Sequence, residues 1–176
     1  MTKLSPNITL EQAVHSETAI REKIDNSTND AELISNGTYV ALYIFEKAVA
    51  HFGLAKIWFE SFFRCTLLNS EIGGAPSSQH TKFQAIDMHG REGLLNVDLF
   101  HWCKDNLEYD QLILEKKRGD DACWVHASYS KTHNRKEVLI AKEVTIKGND
   151  GKDKIVTKYY PYSKSLFNEI YPKHAI

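Results

Sequence analysis

Two histidines and one aspartate, His80, Asp87 and His126, constrain the fold of this chain more than any other feature of its sequence. Asp87 falls in a predicted strand over residues 84–88, and His126 falls in another over residues 124–129. His80 follows a loop over residues 69–78 that is rich in Gly, Pro and Ser. A fold in which the two strands are neighbours would hold these side chains rigidly around one metal ion.

The chemistry of these three side chains suits zinc. Imidazole nitrogens and carboxylate oxygens are common zinc ligands, and three protein ligands leave a fourth position for water, whose pKa the metal lowers to about 7. The sequence therefore predicts one zinc ion bound by His80, Asp87 and His126, and it indicates a hydrolase. The alternative is that each residue is a hydrogen-bonded polar residue of the core.

The other histidines and the cysteines predict no second metal site. His89 and His133 follow the strands of Asp87 and His126, so they could touch a substrate or have a structural role. The remaining histidines are interpreted as surface or packing residues: His15, His51, His101 and His174. The cysteines are odd in number and widely spaced, which indicates buried small residues rather than disulfides or a thiolate site: Cys65, Cys103 and Cys123.

The composition fits one globular domain, because 42% of the 176 residues are apolar and 11% are aromatic. The 22 basic and 23 acidic side chains give a net charge of −1, so no basic field favours nucleic acid as a partner. No apolar run is long enough for a signal peptide or a membrane span. We expect a protein that is made in the cytoplasm, most simply a monomer.

The spacing of apolar residues predicts an α+β domain with a central, mainly antiparallel sheet and helices packed on it. Helices are predicted from Thr9, over 16–24, from a cap at Asn29 or Asp30 to Gly53, and over 97–106, with a short helix or turn over 134–140. Strands are predicted over 57–63, 84–88, 111–115 and 124–129, and a terminal hairpin pairs 144–147 with 154–157. We divide the chain into a core domain, 1–143, and a hairpin with a short helix packed on it, 144–176.

Several tyrosines follow the first strand of the predicted hairpin: Tyr159, Tyr160, Tyr162 and Tyr171. They could form an aromatic wall for a glycan or a peptide. Packing against the domain is the favoured interpretation, because aromatic side chains bury large areas.

The motifs around the three candidate ligands resemble a known family. Ser78-x-His80-x6-Asp87 and Trp124-x-His126 are similar to the signature of the zinc D-Ala-D-Ala metallopeptidases, which include VanX-like peptidoglycan carboxypeptidases and phage endolysin-type L-Ala-D-Glu endopeptidases. Further matches follow in order over roughly residues 8–141: Thr9-Leu10-Glu11, Ser16-Glu17-Thr18-Ala19, Ile24-Asp25-Asn26, Ser61-Phe62-Phe63-Arg64, Leu68-Asn69, Gly73-Gly74, Asp110-Gln111-Leu112-Ile113 and Asn134-Arg135-Lys136-Glu137-Val138-Leu139. The resemblance implies zinc as the cofactor and a peptidoglycan stem peptide as the partner.

The resemblance also implies roles for residues beside the ligands. Arg64 matches an arginine that polarises the scissile carbonyl and supports the oxyanion, although a surface ion pair is the alternative. Ser78 and Gln79 are expected to shape the loop or contact the substrate. Trp124 is expected to form the floor of the pocket or to contact the substrate.

The catalytic base departs from the family pattern. VanX-like enzymes have an acid three positions before the second histidine, where this chain has Cys123, and a thiol does not replace a carboxylate there. Strand alternation favours Glu115 as the base, because pairing of its strand with that of His126 could bring it to the zinc. An ordinary solvated glutamate is the alternative, and Asp121, then Asp120, are reserve candidates.

A second departure is Phe83, which stands where the family usually has Gly. Glycine allows backbone conformations and close approaches that phenylalanine does not. We therefore expect either a different loop geometry or a Phe83 side chain that closes part of the pocket.

The resemblance implies a peptidoglycan peptidase that hydrolyses a stem-peptide amide, as a D-Ala-D-Ala carboxypeptidase or an L-Ala-D-Glu type endopeptidase. A phage or prophage lytic role is expected, with access to the wall by holin-type release, lysis or virion delivery. The alternative is a catalytically degenerate domain that serves as a cell-wall-binding or virion structural module. Cys123 in place of the acid favours the alternative, whereas the three ligands and Arg64 oppose it.

Overall fold

A six-stranded sheet forms the centre of the protein in a computed structural model that describes residues 2–116, 123–148 and 151–176. Its strands are β1 (Ile57–Ser61), β2 (Ala85–Gly90), β3 (Gln111–Lys116), β4 (Cys123–Ser128), β5 (Glu137–Lys147) and β6 (Asp153–Pro161). The strand order is β1-β2-β4-β3-β5-β6, and neighbouring strands are antiparallel except for the parallel pair β3 and β5. The predicted mainly antiparallel sheet is confirmed.

Helices cover one face of this sheet. The described part of the chain forms α1 (Leu10–Ala13), α2 (Glu17–Glu22), α3 (Ala31–Val40), α4 (Glu46–Phe52), α5 (Thr66–Glu71), α6 (Asn96–Asn106) and α7 (Lys164–Ile170). A π-helical turn, Ala41–Phe45, joins α3 to α4. Helix α6 packs on β2, β3 and β4, while α3 and α4 pack on β2 and β1. The α+β fold class is confirmed.

The helix starts follow the capping chemistry of the sequence. Thr9 and Gln12 form a capping box at α1, in which each side chain binds the other residue's backbone N–H. The Asp30 carboxylate accepts hydrogen bonds from two backbone N–H groups in the first turn of α3. Gly53 ends α4 with a positive φ of 92°, a conformation that glycine adopts without strain.

Alternation along the central strands separates the core from the site. Leu112 and Leu114 of β3, with Val125 and Ala127 of β4, are fully buried in the hydrophobic core. The residues between them point to the opposite face of the sheet. That face carries Asp87 on β2, Ile113 and Glu115 on β3, and Trp124 and His126 on β4.

Two segments differ from the prediction. Residues 134–140 do not form a helix, because Glu137 begins β5 and Val138 and Leu139 pair with β3 in parallel. Helix α5 covers the start of the predicted loop over 69–78, and the Cys65 thiol accepts a hydrogen bond from Leu68 N at its first turn. Pairing with a strand distant in sequence produces β5, and local apolar spacing does not reveal such pairing.

The predicted C-terminal hairpin is confirmed and is longer than expected, since β5 and β6 pair from Lys147 and Asp153 back to Leu139 and Pro161. Strand β5 also joins the main sheet beside β3. The predicted boundary at residue 143 therefore falls inside a strand, and the division into two units stays a prediction. Among the described residues, no helix has both the length and the apolar character needed to cross a membrane.

Phe83 lies in the core rather than at a pocket. Its backbone is left-handed, with φ 57° and ψ 29°, and its side chain is fully buried. The ring contacts Phe62 and Phe63, with centroids 4.8 and 5.0 Å away. A Cβ added to Gly37 on α3 would lie 2.8 Å from this ring. The loop thus keeps a conformation that glycine favours, and Gly37 makes room for the larger side chain.

Candidate active site

The three candidate ligands come together from two strands and one short turn. Asp87 on β2 is paired directly with His126 on β4, as the antiparallel register places them opposite each other. His80 lies in a 3-10 turn, Gln79–Lys82, immediately before β2. All three residues are buried, with 3–8% of their surface exposed. The structure therefore gathers the predicted ligand set in one place.

The distances between the donor atoms fit a tetrahedral metal site. His80 Nε2 lies 3.2 Å from His126 Nδ1 and 3.2 Å from Asp87 Oδ1, and His126 Nδ1 lies 3.0 Å from Asp87 Oδ1. Zinc bonds of about 2.0–2.1 Å to imidazole nitrogen and carboxylate oxygen separate neighbouring tetrahedral ligand atoms by about 3.3 Å. The triangle of donor atoms is close to one face of such a tetrahedron.

Each imidazole has a polar contact on the side away from the cluster. His80 Nδ1 is 2.7 Å from the carbonyl oxygen of Phe62, which only accepts, so this nitrogen donates and Nε2 is unprotonated. His126 Nε2 makes a longer contact of 3.5 Å with Gln79 Oε1. Gln79 Nε2 donates to Asp110 Oδ2 at 2.7 Å, which fixes the direction of the amide. The unprotonated Nε2 of His80 thus converges with His126 Nδ1 and an oxygen of Asp87, which are donor atoms that a metal ion can bind.

The charge states agree with this arrangement. Burial lowers the pKa of His80, although the Asp87 carboxylate acts against it, so the ring is neutral at neutral pH. Burial alone would raise the pKa of Asp87, but the imidazoles of His80 and His126 outweigh it and hold that pKa well below its usual range. A neutral imidazole and an ionised carboxylate are the forms that bind metal ions.

Arg64 holds the second oxygen of the Asp87 carboxylate. Its guanidinium donates to Asp87 Oδ2 at 2.6 Å, while its Nε donates to Ser61 Oγ at 2.7 Å. The oxygen Oδ1 is left to face the two imidazoles. Arg64 therefore orients a candidate ligand, in addition to lining the cleft described below.

Glu115 lies beside this cluster on β3. It is paired with Trp124 on β4, and Ile113 on the same face is paired with His126. Burial raises the pKa of Glu115 to about 7, and the negative charge of Asp87 acts in the same direction. The charge of His126 and a hydrogen bond with Tyr159 act against this rise. A carboxyl group with a pKa near 7 can both take and return a proton at neutral pH.

A cleft of about 920 Å³ opens over the cluster and collects the other predicted residues. Ser78, Gln79 and Trp124 line it together with the three candidate ligands, Arg64 and Glu115. His133 also lines the cleft, whereas His89 contacts Glu60 at 3.1 Å on the surface. The reserve candidates Asp121 and Asp120 lie outside the described residues, as does the side chain of Cys123.

Three lining residues have roles that the sequence did not predict. Asp110 accepts from Gln79 and from Arg135, whose Nε and terminal nitrogen lie 2.8 and 2.7 Å from its two oxygens. Asp110 and Arg135 both occur in the motifs that carry the family resemblance, so those motifs were the one sequence feature that could have indicated their place in the site. Tyr159 comes from β6 and contacts Glu115, although packing was the favoured interpretation for the hairpin tyrosines. The packing interpretation is correct for Tyr171, which belongs to the hydrophobic core and has 5% of its surface exposed.

Comparison with protein families agrees with the geometry. The family model for peptidase M15 matches residues 6–128, which include Arg64, Glu115 and the three candidate ligands. Comparison with curated proteins gave no match. The matched range ends with β4, so the C-terminal hairpin lies beyond it. The chain belongs to the peptidase M15 family, a family of zinc-dependent peptidases.

Proposed function

We propose that this protein is a zinc-dependent peptidase that hydrolyses an amide bond in the stem peptide of peptidoglycan. The observation that carries the proposal is the convergence of His80, Asp87 and His126, whose donor atoms lie 3.0–3.2 Å apart. Membership of the peptidase M15 family gives the class of reaction. The open cleft above the cluster is of a size that accommodates a peptide segment.

His80 Nε2, His126 Nδ1 and Asp87 Oδ1 would hold the metal ion. When bound there, zinc supplies a water of lowered pKa and polarises the scissile carbonyl. The Phe62 carbonyl, the Gln79 amide and Arg64 keep the three side chains in their orientations. This outer set of contacts limits the reorganisation that metal binding requires.

Glu115 serves as the general base in this proposal. Its carboxylate takes a proton from the attacking water and returns it to the amine of the leaving group. Burial raises the pKa of Glu115, and a carboxyl with a raised pKa can return a proton near neutral pH as well as accept one. Its place on β3, on the same face as Ile113 opposite His126, supports this role.

Arg64 combines two roles in this proposal. It orients Asp87, and its charge stabilises the negative oxygen that develops when the carbonyl carbon is attacked. A guanidinium has five N–H donors, and Ser61 and Asp87 each accept from one of its nitrogens. The position of Arg64 in the wall of the cleft supports a contact between its other donors and the substrate.

The substrate is either the terminal D-Ala-D-Ala bond or an L-Ala-D-Glu junction, and a phage or prophage lytic role fits either bond. In that role the protein reaches the cell wall by holin-type release, lysis or virion delivery. Family membership supports the peptidase activity, and the cleft supports binding of a peptide rather than a single amino acid.

Mass spectrometry of muropeptides tests the proposal. Purified protein is incubated with peptidoglycans of several stem-peptide chemistries, as isolated, after chelation and after zinc is restored. We expect cleavage that chelation abolishes and zinc restores, and the product masses identify the bond. Binding without cleavage by zinc-loaded protein would support the alternative, a non-catalytic wall-binding or virion module.

A further inference from the structure

The C-terminal hairpin forms one wall of the cleft. Strand β5 lies parallel to β3, and Ile140 is paired with Leu114, the residue before Glu115. Strand β6 pairs with β5 in turn, with Tyr159 opposite Ala141. Leu139, Glu143, Thr157 and Tyr159 of the hairpin all line the cleft. A segment beyond the family match therefore reaches the residues that the proposed reaction uses.

Tyr159 and Glu115 are hydrogen-bonded to each other. Burial and, to a smaller extent, the neighbouring Glu115 raise the pKa of Tyr159 to about 12, so the phenol stays protonated at neutral pH. A protonated phenol beside an ionised carboxylate is the donor. Tyr160, the next residue on β6, points to the other face of the sheet.

We propose that Tyr159 is a positioning residue for Glu115, so that the C-terminal hairpin completes the active site. The inference rests on the proposed function, in which Glu115 is the base. Asp87, Arg64 and His126 also influence Glu115, and the hairpin adds Glu143 to the same cleft wall. Tyr159 contributes a hydrogen bond from the hairpin to this environment, and it holds the carboxylate at one side of the cleft.

The hydrogen bond has two consequences for the base. It restricts the rotation of a flexible side chain, which would otherwise sample several orientations in a cleft of this size. It also favours the ionised carboxylate and thus opposes the effect of burial. Without the phenol, a larger fraction of Glu115 would be protonated at neutral pH and unable to accept a proton.

Tyr159→Phe and Tyr160→Phe form a matched pair of variants, since each removes one hydroxyl from adjacent residues of β6. The first measurement is the titration of the Glu115 carboxyl by ¹³C NMR in the zinc-loaded full-length protein, with Glu115→Gln used to assign the signal. We expect the midpoint to rise in Tyr159→Phe and to stay unchanged in Tyr160→Phe. Equal midpoints in both variants and the wild-type protein overturn the inference.

Steady-state kinetics on the cleaved muropeptide give the second readout. We expect Tyr159→Phe to lower kcat by roughly threefold to tenfold with KM within about twofold, because the lost hydrogen bond serves the base and not the substrate. A raised KM with unchanged kcat would instead make Tyr159 a substrate contact and overturn the positioning role. The NMR titration needs no turnover, so it decides the inference even if the wild-type protein cleaves no peptide.

Discussion

Each candidate ligand has a second polar atom, which lies on the side away from the metal position and contacts another residue. His80 Nδ1 faces the Phe62 carbonyl, His126 Nε2 faces Gln79, and Asp87 Oδ2 faces Arg64. Each of these contacts favours the orientation in which the other polar atom points toward the metal position, so the side chains are oriented before an ion arrives. In the proposed zinc site, we therefore expect the affinity for the metal to depend also on residues that do not touch it.

Gln79→Ala tests this dependence. Gln79 links His126 to Asp110, and we expect its removal to weaken zinc binding roughly tenfold to a hundredfold while the three ligands stay in place. Competition with a chromophoric chelator measures the dissociation constant. Ser78→Ala, which changes the neighbouring residue in the same cleft, is the control and should bind zinc as the wild-type protein does. Equal affinities for both variants would show that Gln79 does not orient His126.

Glu115→Gln tests the base. We expect zinc content to be unchanged and kcat to fall by roughly 10²–10⁴-fold, the usual contribution of a general base. Glu143→Gln removes another carboxylate from the cleft wall and should retain most of the activity. Zinc content is measured by atomic absorption, and turnover by release of the muropeptide product. Unchanged turnover in Glu115→Gln would remove Glu115 from the mechanism.

The proposed role of Glu115 also predicts how the activity of the wild-type protein depends on pH. The pKa of Glu115 is raised to about 7 in the folded protein, and only the ionised form can accept a proton. Activity should therefore rise with pH as Glu115 loses its proton. The midpoint of this rise should lie at or below pH 7, because a bound cation lowers the pKa of a neighbouring carboxyl. The rise is measured as kcat/KM from pH 5 to pH 8. A profile that falls over this range would contradict an ionised base.

At the scale of elements, alternation along β2, β3 and β4 was readable from the sequence, because every second residue is apolar and enters the core. The same alternation predicted that Glu115 could lie near His126, and the structure places Asp87 on that face as well. The first part of β5, residues 137–143, and the place of Tyr159 could not be predicted from the sequence. They depend on parallel pairing with β3 and on the register of a long hairpin, and neither leaves a local pattern.

The turn before β2 shows how packing can override local preference. Phe83 has a left-handed backbone, which costs a non-glycine residue about 1–2 kcal/mol, but its buried ring contacts Phe62 and Phe63. We expect Phe83→Ala to destabilise the protein by about 3–5 kcal/mol, because it loses the ring and keeps the strain. Phe83→Gly loses the same ring and relieves the strain, so it should be about 1 kcal/mol less destabilising than Phe83→Ala.

Denaturant unfolding of the two variants and the wild-type protein measures this difference. Both variants lose the ring that packs beside Gly37, so the difference between their free energies of unfolding measures mainly the cost of the left-handed backbone at position 83. A Phe83→Gly variant that is less stable than Phe83→Ala would contradict strain at this position.

At the scale of the whole molecule, the site joins parts of the chain that are far apart in sequence. The ligands come from the turn before β2, from β2 and from β4, the proposed base comes from β3, and the hairpin closes one side. A metal ion held by His80, Asp87 and His126 therefore links the turn to the middle of the sheet. Because an unfolded chain does not preform this set, zinc binding is coupled to the stability of the folded state.

Zinc should accordingly raise the temperature of thermal unfolding. A ligand present at about 100 times its dissociation constant stabilises by about 2.7 kcal/mol, which corresponds to roughly 5–10 °C for a domain of this size. Calorimetry with zinc and with a chelator measures the shift, and Asp87→Asn should abolish it while keeping the shape of the side chain. The shift should also shrink toward pH 5, since the imidazoles bind zinc only when they are neutral. Equal unfolding temperatures with zinc and chelator at pH 7 would exclude a bound ion as part of the folded structure.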